Sequence, residues 1–205
     1  MNSLRLFACG GLAALSLTAC SPASSDAPAA QPAQPQGTAQ LKPEYDDSGK
    51  LQKLEYDRDK DGKVDTWGYM DGARVVRVEV DENGDGKVDR WEFHRADAAS
   101  GTSGAAAPGV DKTVERIERA TKFDGTVSRR EFFDNGVLTK IEEDTDGNGS
   151  VDKWETYTDG SLSVMALDTA GRGTPDRRLV YRPDGSMDHI EADPNGTGTF
   201  TRLNP

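Results

Sequence analysis

The chain has 205 residues, a formal net charge of −11 and a sequence pI near 4.7. Leu, Ile, Val and Phe account for only 35 of those residues, a composition typical of chains that bury little apolar surface. It excludes an ordinary deep-cored α/β enzyme, and the acidic balance argues against nucleic acid as a partner, because phosphate backbones are bound by Lys and Arg.

The N-terminus has the pattern of a secretory signal. One charge, Arg5, precedes an apolar stretch, 6–17, that is too short to span a bilayer. The stretch leads into Leu17, Thr18, Ala19 and Cys20. This ending resembles the lipobox of bacterial lipoproteins, which implies that 1–19 is a signal peptide and that Cys20 carries the lipid. A plain secretory signal cleaved before the cysteine is the alternative.

The resemblance to lipoproteins also implies a location in the cell envelope. Ser21, rather than Asp, follows the cysteine, which in such lipoproteins implies sorting to the outer membrane. Several acyl chains on one cysteine would anchor the protein stably in the membrane. The following segment, 20–41, is rich in Ala, Pro, Gln and Ser, and this composition predicts a disordered linker.

From residue 42 onward the chain repeats itself, since Asp57 and Asp81 begin similar segments 24 residues apart. Three acidic segments that end in tryptophan are plain copies: 57–67, 81–91 and 144–154. Degenerate copies begin at Ala120 and Asp168, and a remnant begins near Asp193. We call these six segments the first to sixth loops and number their positions from the first residue of each.

The stretches between the loops predict strands. Asp-Gly and Asn-Gly pairs such as Asp71-Gly72 and Asn135-Gly136 are hairpin turn signals, and the 12 residues of 69–80 are too few for a helix and a turn. Apolar residues recur three and six positions before each loop, a spacing that a β-bulge would reconcile with a strand. The sequence therefore predicts an all-β fold, an antiparallel β-hairpin repeat array forming an elongated or curled meander sheet.

One interruption divides the array. Asp81 and Ala120 are 39 residues apart, which is 24 plus 15. The additional residues fall in 96–110, a segment rich in Ala, Gly and Ser that is either a flexible insertion or a joint between two arrays. The domain prediction is thus N-terminal repeats over 42–95 and C-terminal repeats over 111–205.

The acidic loops resemble the calcium-binding loops of EF-hand proteins, with ligands at positions 1, 3, 5, 7 (a main-chain carbonyl), 9 and 12, and glycine at 6. Two loops match throughout, and their predicted ligands are Asp81, Asn83, Asp85, the Lys87 carbonyl, Asp89 and Glu92, and Asp144, Asp146, Asn148, the Ser150 carbonyl, Asp152 and Glu155. The first loop offers Asp57, Asp59, Asp61, the Lys63 carbonyl and Asp65. It has Gly68 at position 12 and so lacks the last ligand.

The resemblance covers the loops alone and implies Ca²⁺ as the cofactor. A repeat of 24 residues is too short for a helix-loop-helix unit, so the EF-hand fold itself is not expected. The hairpins between the loops are similar to the MORN-like units of bacterial repeat lipoproteins.

In the degenerate loops, positions 1, 3 and 5 tend to lose their acidic residues together. Clustered carboxylates repel one another without a cation, so both observations favour cation binding by the intact loops.

Two functions remain open. The first is a calcium-binding cell-envelope lipoprotein, anchored in the membrane by its lipid, whose ions stabilise a β-repeat scaffold. The alternative is a metal-independent scaffold that binds an envelope protein or a polysaccharide, because Asp, Asn and Gly are also the best turn formers. An enzyme is not expected, since His94 and His189 lie in different repeats without a partner for nucleophilic catalysis.

Overall fold

The computed structural model describes residues 41–96 and 111–203. The predicted signal peptide, the lipid-bearing Cys20, the linker up to residue 40 and residues 97–110 of the insertion lie outside the described residues. The described residues form thirteen strands: β1 (Leu41–Tyr45), β2 (Leu51–Tyr56), β3 (Thr66–Asp71), β4 (Arg74–Val80), β5 (Arg90–His94), β6 (Val114–Arg119), β7 (Arg129–Asp134), β8 (Val137–Glu143), β9 (Lys153–Thr158), β10 (Ser161–Leu167), β11 (Arg177–Tyr181), β12 (Met187–Ala192) and β13 (Thr201–Arg202).

These strands form one antiparallel sheet in which each strand pairs with the next in chain order. The sheet is open, and β1 and β13 are its two edges. The predicted all-β hairpin meander is confirmed. No helix in the described part of the chain is long and apolar enough to cross a membrane.

Connections alternate between the two ends of the strands because the sheet is a meander. The six acidic loops follow even-numbered strands, and we call this side the loop end; the hairpin turns follow odd-numbered strands at the opposite turn end. At the turn between β7 and β8, Asn135 and Gly136 have φ of 50° and 79°, the left-handed pair that a tight hairpin needs. The insertion follows β5 and therefore leaves the sheet at the turn end.

A β-bulge recurs in the hairpins and explains the apolar spacing of three. Tyr69 pairs with Arg77, but the next residue of β3, Met70, pairs with Val75, so Val76 is an additional residue in β4. The additional residue brings Val75 and the apolar position at 78 to the same side of the sheet. Similar register shifts occur in β2, β6, β8, β10 and β12.

One side of the sheet, which we call the apolar face, holds most of the buried apolar side chains. The apolar residue three positions before each loop lies on this face. The buried cluster comprises Val114, Ile117 and Phe133, with Leu138 packed against it. Ile141, in the next strand but one from Ile117, is only 2% exposed. Because the described residues form a single sheet without a second layer over this face, few of their side chains are fully buried, and a chain poor in large aliphatic residues suffices.

On the opposite side, which we call the ladder face, aromatic and charged side chains alternate from β3 to β8. Tyr69, Arg77, Phe93 and Arg116 are successive cross-strand neighbours on it. The Arg77 and Arg116 guanidinium carbons each lie 4.2 Å from the centroid of a neighbouring ring. These cation–π contacts cover the aromatic rings of this part of the face with charge.

Candidate metal centre

In every loop except the third, the aspartate at position 1 accepts main-chain hydrogen bonds from its own loop and so closes the turn. In the second loop, Asp81 Oδ1 accepts a hydrogen bond from the amide of Gly84 at 2.7 Å, and Oδ2 accepts one from the amide of Gly86 at 2.7 Å. Asp57 and Asp144 hold the amides of their own loops in the same way. Asp81 is 3% exposed, so this carboxylate is turned inward onto main-chain donors.

Positions 3 and 5 turn the chain through side-chain to main-chain hydrogen bonds. Asn83 Oδ1 accepts from the amide of Asp85 at 2.9 Å, and Asp85 Oδ1 accepts from the amide of Lys87 at 2.9 Å. The first and fourth loops repeat these bonds. The glycine at position 6 follows, and Gly86 has φ of 89°, a conformation that residues with a Cβ rarely adopt. The sequence pattern therefore produces the tight turn that an EF-hand-like loop requires.

In the first, second and fifth loops, position 9 places a buried carboxylate at the base of the loop. Asp89 is 1% exposed, and its Oδ2 accepts a hydrogen bond from the amide of Glu82 at 3.0 Å. Within the described residues, its Oδ1 is buried and has no hydrogen-bond partner. A buried carboxylate oxygen without a donor is costly, so a cation at this oxygen would stabilise the loop.

Two loops bring three carboxylates within the reach of one ion. In the first loop, one oxygen from each of Asp57, Asp59 and Asp61 lies within 4.8 Å of the others, and the same holds in the fourth loop for three predicted ligands, Asp144, Asp146 and Asp152. These two acidic clusters could hold a metal ion. The second loop has Asn83 at position 3, so at positions 1, 3, 5 and 9 it offers three carboxylates and one amide oxygen, the same numbers as the fourth loop.

The clefts between neighbouring loops leave room for an ion with its water. The first and second loops enclose a cleft of about 340 Å³, whose lining includes Asp59, Asp61 and Asp85. The fourth and fifth loops enclose about 520 Å³, lined in part by Asp146 and Asp152. Carboxylates at the mouths of these clefts are accessible to a hydrated cation from solvent.

The glutamates at position 12 lie outside the loops, in the strands that follow them. Glu92 and Glu155 are in strands on the apolar face, where Glu92 forms an ion pair with Arg90 and Glu155 with Lys153, the latter at 2.9 Å. Burial alone would raise the pKa of Glu155, but the Tyr157 hydroxyl and Lys153 hold it below its usual value. For either glutamate to bind an ion, it would have to leave these partners. Both ligand assignments remain predictions, as do the carbonyls of Lys63, Lys87 and Ser150.

Main-chain amides lower the pKa of Asp144 in the fourth loop. Burial tends to raise the pKa of Asp144, but hydrogen bonds from the amides of Gly149, Gly147 and Asn148 outweigh it and hold the pKa below its usual value. The carboxylate is therefore ionised well into the acidic range and ready to attract a cation.

No protein-family model matches the chain, and no curated protein matches its sequence. The resemblances to bacterial lipoproteins, EF-hand loops and MORN-like repeats are thus supported by the motifs themselves and not by a family match. The structure supports the repeated hairpins and the two acidic clusters independently of any relative.

Lys122 was not among the predicted site residues, although it lies beside the fourth loop. It occupies position 3 of the third loop, and its Nζ donates to the carbonyl of Asp146 at 3.5 Å and lies over Gly147. Lys122 and Asp146 are 24 residues apart. The repeat period was therefore the signal that could have found this contact, because equivalent positions of successive loops are neighbours at the loop end.

Proposed function

We propose that this protein is a calcium-binding cell-envelope lipoprotein whose acidic loops take up Ca²⁺ and thereby stabilise the β-repeat scaffold. The observation that carries the proposal is the convergence of three carboxylates within 4.8 Å in the first and fourth loops. Calcium is the best match because it prefers carboxylate, amide and main-chain oxygens in loops of about 12 residues. We expect weak sites, with dissociation constants on the order of 10⁻⁴ to 10⁻³ M, as in extracellular modules.

Electrostatics supports an ion in these loops. Like charges a few ångströms apart repel one another, and the chain as a whole has a net charge of −11. The buried, unpartnered Oδ1 of Asp89 adds a second reason in the second loop. A divalent cation would relieve both the repulsion and the missing hydrogen bond. Two or three sites are therefore expected per chain.

The envelope location rests on the N-terminal motif. Leu17, Thr18 and Ala19 precede Cys20 in the lipobox pattern, and a lipid on that cysteine would hold the protein at a membrane surface. The linker, which ends before β1 begins at Leu41, would then separate the sheet from the lipid headgroups. Detection of an acylated N-terminal cysteine by mass spectrometry of the protein purified from envelopes would test this part of the proposal.

A specific observation also favours the alternative, a metal-independent scaffold for an envelope protein or a polysaccharide. The loop turns are closed by hydrogen bonds within the chain, such as those from Gly84 and Gly86 to Asp81. Such loops hold their shape without an ion. On this reading the acidic residues act as turn formers, and the ladder face is the candidate binding surface.

The two functions differ in how calcium binding responds to the exposed ligands. We would titrate the full chain with calcium by calorimetry and repeat the titration with Asp61→Ala, Asp85→Ala and Asn148→Ala combined. These three side chains are exposed at position 5 of their loops, so their loss should abolish or strongly weaken binding while the circular dichroism spectrum in EDTA stays unchanged.

The matched control replaces two exposed acidic residues outside the loops, Asp47→Ala with Glu115→Ala, which removes the same amount of negative charge. Calcium binding by this control should equal that of the unaltered chain. Equal weakening in both variants would mean that calcium is attracted by net charge alone, and an absence of binding by the unaltered chain would leave the metal-independent scaffold as the function.

A further inference from the structure

The fifth loop keeps a buried carboxylate where the metal loops have theirs. Asp176 stands at position 9, is 6% exposed, and its Oδ1 accepts a hydrogen bond from the Thr169 hydroxyl at 2.8 Å. Its Oδ2 is buried without a hydrogen-bond partner in the described part of the chain. Asp89 in the second loop shows the same arrangement, with one satisfied oxygen and one buried, unpartnered oxygen.

A guanidinium faces this oxygen in the fifth loop. Arg172 Nη2 lies 3.7 Å from Asp176 Oδ2. Arg172 stands at position 5, where the first, second and fourth loops have ligands, namely Asp61, Asp85 and Asn148. The same guanidinium donates to the carbonyl of Pro194 at 3.0 Å and to that of Asp193 at 3.4 Å. It thus joins the fifth loop to the sixth.

The third loop has neither a carboxylate at position 9 nor an arginine at position 5. Position 1 is Ala120, 1% exposed, and position 9 is Ser128, whose hydroxyl lies 2.6 Å from the Thr121 hydroxyl. The buried charge and the need for a cation have disappeared together in this loop. Across the array, therefore, a buried carboxylate at position 9 is accompanied either by an acidic ligand set or by an arginine.

We propose that the Arg172 guanidinium takes the place of the divalent cation in the fifth loop, which is consequently a latent metal site with a built-in counter-ion. The proposal rests on the proposed function of the acidic loops. Asp168 still closes this loop, since its Oδ2 accepts from the amide of Gly173 at 2.6 Å. The loop therefore keeps its turn and a buried acceptor, and a positive side chain fills the position of the ion.

The first test converts the latent site into a metal site. Ala170→Asp with Arg172→Asp gives the fifth loop the acidic residues of the first loop at positions 1, 3, 5 and 9. We expect equilibrium dialysis of the full chain against terbium, a calcium substitute, to show one more bound ion than the unaltered chain. The control, Ala170→Asp with Arg177→Asp, changes net charge by the same amount but keeps the guanidinium of Arg172, and it should bind no additional ion.

The second test is made in EDTA and needs no metal. Arg172→Gln should lower the melting temperature by several degrees, because it leaves Asp176 without a cation and releases the sixth loop. Arg177→Gln, at an exposed strand position, should leave it nearly unchanged. Equal melting temperatures for these two variants, or equal terbium counts for the two double variants, would overturn the proposal.

The outcomes separate this proposal from the proposed function. Should the unaltered chain bind no terbium while the Ala170→Asp, Arg172→Asp variant binds one ion, the calcium function fails and the role of Arg172 stands. Should the unaltered chain bind two or three ions and the variant bind no more, the calcium function stands and the role of Arg172 is wrong.

Discussion

The amide of Asp81 donates a hydrogen bond to the carbonyl of Asp65 at 2.8 Å, which joins position 1 of the second loop to position 9 of the first. The amide of Asp89 in turn donates to the carbonyl of Val80 at 2.8 Å. Both bonds recur from loop to loop, including the 2.8 Å bond from Ala120 to Asp89. Position 1 of the second to sixth loops and position 9 of the first to fifth loops are therefore joined in one series of main-chain hydrogen bonds, and a change at either position affects the neighbouring loop.

Position 1 is consequently structural whether or not an ion binds. We predict that Asp81→Ala destabilises the protein in EDTA by about 1–3 kcal/mol, because two main-chain amides lose their acceptor. Asp85→Ala removes an exposed side chain and should stay within about 0.5 kcal/mol of the unaltered protein under the same conditions. Urea unfolding in EDTA measures both values. Equal values would contradict the conclusion that Asp81 is structural and that Asp85 is not.

Calcium should stabilise the folded chain by mass action. At a calcium concentration ten times the dissociation constant, each site contributes about 1.4 kcal/mol, so two or three sites should raise the melting temperature by several degrees. Thermal unfolding with increasing calcium checks this prediction. Magnesium at the same concentration is the control for ionic strength and charge, and an equal shift with both ions would argue against specific loop sites.

The apolar face depends on few residues, so each of them should matter. Ile141 is 2% exposed, and Ile141→Ala should lower the free energy of unfolding by about 2–5 kcal/mol through lost burial and a cavity. Val76 at the bulge is 37% exposed, and Val76→Ala should change the free energy of unfolding by less than about 0.5 kcal/mol. Chemical unfolding compares the two, and a small effect at Ile141 would show that the face contributes little.

His94 should make stability depend on pH near neutrality. Burial lowers the pKa of His94 below 6.5, although Asp111 and Glu115 act in the opposite direction. The folded state therefore binds this proton less readily than the unfolded state, so the stabilisation is complete above pH 6.5 and is lost as the pH falls through the folded-state pKa. His94→Gln, which retains a donor near the Thr113 hydroxyl, should show a weaker decline of the urea midpoint between pH 7 and pH 5.

The strands and turns could be predicted because their signals are local. Asp-Gly and Asn-Gly pairs determine the turns, and the tryptophan at position 11 of the first, second and fourth loops lies at the start of the strand that follows. The apolar spacing of three was predicted only as a bulge, since the additional residue, such as Val76, becomes visible when Tyr69 and Arg77 are seen to pair. Low aliphatic content did not prevent folding because each hairpin buries its apolar face only against its neighbours.

The site was predicted in part, because a ligand pattern records spacing along the chain and not partners across strands. Positions 1, 3, 5 and 9 depend on turn geometry within the loop, and three of them converge in the first and fourth loops. Glu155, in contrast, lies in a strand beside Lys153, whose ammonium is 2.9 Å away. The role of Arg172 does not follow from the ligand pattern, because that pattern shows which ligands a degenerate loop lacks and not the charge that takes their place.

The position of the insertion has a practical consequence. At the turn end, the amide of Arg95 donates to the carbonyl of Thr113 at 2.8 Å, and β5 and β6 pair directly beyond this bond. At the loop end, the hydrogen bond from the amide of Ala120 to the carbonyl of Asp89 joins the second and third loops, although their first residues are 39 positions apart. Since these contacts pair β5 with β6, we expect the sheet to tolerate chain of different length between 96 and 111, which makes this point a suitable site for displaying a foreign peptide or domain away from the acidic loops.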